Sequence, residues 1–130
     1  RFARAAQLLM EADRRSPRHS RYLLEAGYAY LALDDRQRSL NCAATGIGRY
    51  EVNGVFHNLA ARNLHTERPD LAANHILSCL VREPENPACL ATCKFLTTEH
   101  PLREDYRAFF LRHGLTPAQQ SSGDAGPLKP

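Results

Sequence analysis

The chain has 130 residues, 43% of them apolar and 24% charged, with a formal net charge of +3. That is the make-up of one globular domain or one short repeat array, long enough to bury a core without metal or disulfide staples. No apolar run approaches the roughly 18 residues of a membrane span, and no basic-then-apolar targeting segment opens the sequence.

Residues 2–15 predict an amphipathic helix, with Phe2, Ala5, Ala6, Leu8, Leu9 and Ala12 on one stripe. Ser16 and Pro17 stop it. Ser20 is placed to cap a helix over about 21–33, in which Leu23, Leu24, Gly27, Tyr30 and Leu31 recur at helical spacing. Asp34 and Asp35 mark a turn into a helix over 36–49, whose end Gly46 and Gly48 weaken by about 1 kcal/mol each relative to Ala. Asn53 or Gly54 begins the next helix, which runs to about His65. Pro69 and Asp70 suit the first turn of a helix reaching Arg82, since Pro lacks only an N–H that would be orphaned anyway. Asn86 caps a sixth helix over 87–98, and a seventh covers 102–113 before Gly114. From Pro117 to Pro130 the composition is that of a disordered tail or linker. No stretch alternates polar and apolar residues, so no strand is expected and the fold class is all-α.

A period overlies these helices. Leu23-x-x-Ala26-Gly27-x-x-Tyr30 is answered 33 residues later by Phe56-x-x-Leu59-Ala60-x-x-Asn63. Ser39 with Ala43, and Ala72 with Ile76, follow 16 residues behind each, while Ala5 with Leu9 fits a leading half-unit and Pro17 and Pro84 close their units. In this order the pattern resembles the tetratricopeptide repeat, W-x2-L-G-x2-Y followed by A-x3-F and P. The resemblance spans about residues 1–113. It departs at Asn63, at Glu51 where Pro is expected, and in the third unit, where Lys94 and Tyr106 stand at small-residue positions.

The resemblance implies antiparallel helical hairpins stacked as a short right-handed solenoid over residues 1–116. It also implies a concave groove lined by the first helix of each hairpin. Arg21, Leu24, Tyr28 and Leu31 are expected to face it from one hairpin, His57, Asn58, Ala61 and His65 from the next, and Ala91 and Phe95 from the third. The family's clamp for terminal carboxylates is not implied. Of its residues only Asn58 is present, and without cations it loses its charge-assisted bonds. The groove suits an extended, partly apolar peptide.

Other chemistries find little support. All basic residues but Lys94 and Lys129 are Arg, yet they are spread among acids rather than clustered, so no nucleic-acid partner is expected. Cys42, Cys79, Cys89 and Cys93 read as buried free thiols in a reducing compartment, which places the chain in the cytoplasm. Cys89 and Cys93, with His75, Cys79 or His100, make a weak metal set lacking the usual paired spacing. The six histidines read as surface and cap residues. Neither a phosphate loop nor an activated nucleophile is expected, and thus neither enzyme activity nor a cofactor. The expected function is a protein-interaction module in a scaffold or chaperone role, such as the bacterial chaperones of secreted translocators, with a second copy of the chain as an alternative partner. The competing expectation is a non-catalytic arm of a larger enzyme such as a bacterial glycosyl- or sulfotransferase. The interaction module is expected to be either free-standing or an arm of a larger protein, and the missing initiator Met and the linker-like tail favour the second setting.

Overall fold

The computed structural model describes residues 1–51 and 53–121. Among them the fold is all-α: α1 (Phe2–Arg15), α2 (Ser20–Ala32), α3 (Arg36–Arg49), α4 (Val55–Leu64), α5 (Pro69–Arg82), α6 (Pro87–Thr98), α7 (Arg103–Arg112) and α8 (Pro117–Gln120). Local chemistry sets most boundaries. Asp35 accepts the Arg38 N–H at 3.2 Å and starts α3, after Asp34 turns the chain through a left-handed φ of 58°. Asn86 accepts the Cys89 N–H at 3.1 Å ahead of Pro87. Gly114, at φ 92°, ends α7, a conformation that favours glycine. Ser20 differs from expectation. It is the first residue of α2, His19 holds the cap position, and no side chain caps this end.

α8 also departs from the expected boundary at residue 116. Thr116 and Gln119 form a reciprocal capping box, and the buried Gln120 donates to the Leu115 carbonyl at 3.1 Å. The Thr116-x-x-Gln119 spacing with Pro117 between is a helix-start signature present in the sequence. Packed structure therefore continues past 116, against α6 and α7. The rest of the expected tail, 122–130, lies outside the described residues.

Each helix packs on the next in the chain, and α2, α4 and α6 also touch in succession. Two apolar clusters result. The first gathers Leu23, Ala26, Leu31, Cys42, Phe56 and Leu59, and the second Ala61, Ile76, Cys79, Leu96, Tyr106 and Phe110. α4 belongs to both: Ala60 joins the first cluster and its neighbour Ala61 the second. A helix enclosed on several sides buries residues all round its circumference, and α4 buries Phe56, Asn58, Leu59, Ala60, Ala61 and Asn63.

Small residues permit the close contacts. The Ser39 hydroxyl donates to the Gly27 carbonyl at 2.8 Å and accepts from the Asn63 amide at 2.9 Å, tying α2, α3 and α4 together. A Cβ at Gly27 would overlap the Leu59 side chain and come 3.2 Å from Cys42 Cβ. Gly27→Leu should therefore cost about 1–3 kcal/mol by overpacking. Urea midpoints for Gly27→Leu beside the exposed-site control Arg4→Ala check this, and equal midpoints would refute the helix contact.

The third hairpin corrects one register. Spacing from α4 places Cys89, Thr92, Cys93 and Leu96 opposite Phe56, Leu59, Ala60 and Asn63, and all eight are buried. Cys93, not the half-exposed Lys94, is the small residue of α6. Tyr106 of α7 is a large residue where the expected register has a small one. It is buried, and its hydroxyl donates to the His65 carbonyl at 2.8 Å.

The cysteines differ from the free-thiol expectation. Cys79 and Cys89 form a disulfide joining α5 to α6, while Cys42 and Cys93 are free and buried. The turn between the two helices brings the two Cα atoms to 6.5 Å, a separation that disulfides span. Spacing alone did not reveal this, because residues 79 and 89 lie on different helices.

Candidate groove on α2, α4 and α6

A polar ladder crosses three helices. The Asn58 amide donates to the Tyr28 hydroxyl at 2.9 Å, and the Thr92 hydroxyl donates to the Asn58 amide oxygen at 2.5 Å. Asn58 and Thr92 are buried, so each bond satisfies groups that water does not reach. The Arg62 guanidinium lies 5.3 Å from the Tyr28 ring centroid, a cation–π distance. One turn further along α4, the His65 ring meets Phe95 of α6 edge-on at 5.7 Å. Leu24, Tyr28, Arg62, His65 and Phe95 are half-exposed.

The ten expected groove residues separate, with Ala91 half-exposed on α6. Tyr28 and Asn58 meet, as do His65 and Phe95. Leu24 packs partly against the first cluster. Arg21 is exposed, 3.9 Å from the Glu25 carboxylate. Leu31, Asn58 and Ala61 are buried rather than open to a groove, because α2 and α4 are covered by their neighbours on those sides. His57 turns toward α5, its Nδ1 2.9 Å from Nδ1 of His75. The residue that reaches Tyr28 from α4 is therefore Asn58, with Arg62 above the ring. Arg62 and Thr92 were not expected here. The Asn58-x-x-x-Arg62 spacing, one helical turn, is the signal for the first.

Comparison with protein-family models, curated proteins and solved structures found no match. The likeness to tetratricopeptide repeats rests on the residues quoted above.

The histidines correct another expectation. His57, His65, His75 and His100 are partly or fully buried and paired ring to ring, rather than free surface residues. Burial lowers the pKa of all four below the ordinary histidine value. For His57, nearby His75 and Arg82 add to that lowering, and for His65, nearby His100, Arg36 and Arg62 do. The two free thiols are pushed the other way by burial, Cys42 to about 11 and Cys93 to about 12. Thiols held so far into the protonated form are poor nucleophiles. Among the described residues no three metal-binding side chains converge, and no helix is long and apolar enough to cross a membrane.

Proposed function

We propose that this chain is a protein-interaction module, a short tetratricopeptide-like right-handed solenoid that holds an extended, partly apolar peptide along α2, α4 and α6. The observation that carries the reading is the Tyr28–Asn58–Thr92 ladder, which ties α2, α4 and α6 beneath one half-exposed row of side chains. A face fixed before binding loses little entropy when a peptide is laid on it. Leu24, Tyr28 and Phe95 supply apolar and aromatic area there, and Arg62 and His65 supply polar contacts. The role is non-catalytic, that of a scaffold or chaperone, needs no cofactor, and takes a protein rather than a nucleic acid or a membrane as partner. The cytoplasmic reading rested on four free thiols. With Cys79 and Cys89 joined, that argument no longer holds, because such cross-links persist mainly in oxidising compartments.

Selection of phage-displayed 12-residue peptides on the immobilised chain provides a ligand for titration calorimetry. Tyr28→Ala and Phe95→Ala should each weaken the selected peptide about thirtyfold, the effect of removing a contact worth about 2 kcal/mol. Arg14→Glu on α1 and Arg38→Glu on α3 should change little beyond a salt-dependent rate. The opposite ranking would move the binding surface to another face and end the groove reading.

A further inference from the structure

The bonds around His65 and His100 determine where both protons sit. The Leu102 backbone N–H donates to His100 Nδ1 at 2.9 Å, so that nitrogen carries a lone pair and the His100 proton is on Nε2. His100 Nε2 lies 3.1 Å from His65 Nδ1, which must then accept. The Thr66 hydroxyl lies 3.2 Å from the same His65 nitrogen, whose single lone pair it can only share with His100. The chain of donors runs from Leu102 through His100 to His65, and it closes only when both rings are neutral.

We propose that the His65–His100 bond is an acid-released latch that fastens the α6–α7 hairpin to α4. A proton added to His65 at Nδ1 faces the His100 Nε2–H, two donors head to head. A proton added to His100 at Nδ1 faces the Leu102 N–H in the same way. Either event breaks a bond in the chain, and water supplies the proton.

Burial disfavours charge on both rings, against a hydrogen bond to the His65 backbone that favours it on His100. Arg36 of α3 and Arg62 of α4 act on His65 as like charges. The Arg103 guanidinium, at the start of α7, approaches the His100 carbonyl at 3.5 Å. From α7 the neutral Tyr106 hydroxyl contacts the His65 carbonyl, with its ring 5.1 Å from that of His100. Phe95 of α6 packs edge-on against both imidazoles. Asp70 of α5 acts on Tyr106, where it and burial raise the phenol pKa. No carboxylate forms an ion pair with either ring among the described residues.

The sign follows from linkage. Both histidines have a lowered pKa in the folded state, whereas in an opened segment they titrate near the free value of about 6.5. The seam is therefore fully closed above about pH 6.5 and loosens as the pH falls below it, since the open form binds more protons. Each histidine contributes at most roughly a tenfold rise in the opening constant between pH 7.5 and 5.5. The latch stands whether or not the adjoining groove binds peptide.

Hydrogen exchange read by mass spectrometry on the whole chain, corrected for intrinsic exchange rates, tests it. Amides of α6 and α7 should lose protection between pH 7.5 and 5.5, by up to about a hundredfold, while those of α1 and α2 change far less. The double variant His65→Asn with His100→Gln, a non-titrating donor–acceptor pair, should remove that difference. A parent whose α6–α7 protection ignores pH would overturn the latch. So would a variant that keeps the acid response, which would then arise at His57 and His75. Should the variant not fold, nitrogen-15 spectra of the parent imidazoles decide. Nδ1 of both His65 and His100 must be unprotonated at pH 7.5 and titrate only below pH 6.5, and a ring with its proton on Nδ1 at pH 7.5, or one titrating at or above 6.5, refutes the proposal.

Discussion

Phe56→Ala is expected to cost about 3–5 kcal/mol of folding stability, the largest effect of any single substitution considered. Phe56 is fully buried at the start of α4, and its ring stacks on Tyr50 at 5.5 Å between centroids. It occupies space that Gly46 of α3 leaves open: a Cβ on Gly46 would overlap three atoms of that ring. Gly46→Ala should therefore destabilise too, by about 1–3 kcal/mol, through overpacking of a ring that has no room to retreat. The two substitutions should not add. Once the ring is gone, the alanine methyl at 46 fills part of the cavity, so the double variant should be more stable than the sum by about 1 kcal/mol or more. Urea unfolding of the four proteins measures the coupling. Additivity within about 0.5 kcal/mol would mean that residues 46 and 56 do not touch. A small protein has only about 5–15 kcal/mol in total, so Phe56→Ala should leave a marginal fold.

Loss of the Cys79–Cys89 bond should be nearly as costly. The two residues are 10 apart in sequence, and closing so short a loop limits the unfolded chain by about 3 kcal/mol in the chain-entropy treatment. Cys79→Ala with Cys89→Ala should lower the melting temperature by roughly 10 °C for a chain of this size. Reductant should do the same to the parent and nothing to the variant. Alkylation of the denatured, unreduced protein should label two thiols, those of Cys42 and Cys93. Labelling of all four would show that the bond does not form, and the reading of Cys79 and Cys89 as buried thiols would return.

The sequence by itself determined where the helices lie. Apolar positions at helical spacing, Pro69 and Pro87 at first turns, Asp35 and Asn86 as caps and Gly114 as a stop act within a few residues of themselves, so they can be read without a fold. The capping box of α8 at Thr116 and Gln119 is equally local, although composition alone marks residues 117–130 as a tail. Tyr28 with Asn58, and His65 with Phe95, were placed on one face by a repeat period, because a period carries tertiary information in one dimension. Tertiary packing alone decided the rest. Asn58, Ala61 and Leu31 have the spacing of groove residues, yet they are buried because α4 and α2 each have neighbours on several sides. Gly46 reads as a weak helix end until Phe56, from the next helix, is seen against it. Which histidines pair, and which cysteine faces Cys79, depends on the separation and rotation of two helices to within about an ångström. Hydrogen bonds and disulfides form only over such distances, and no local pattern along the chain encodes them.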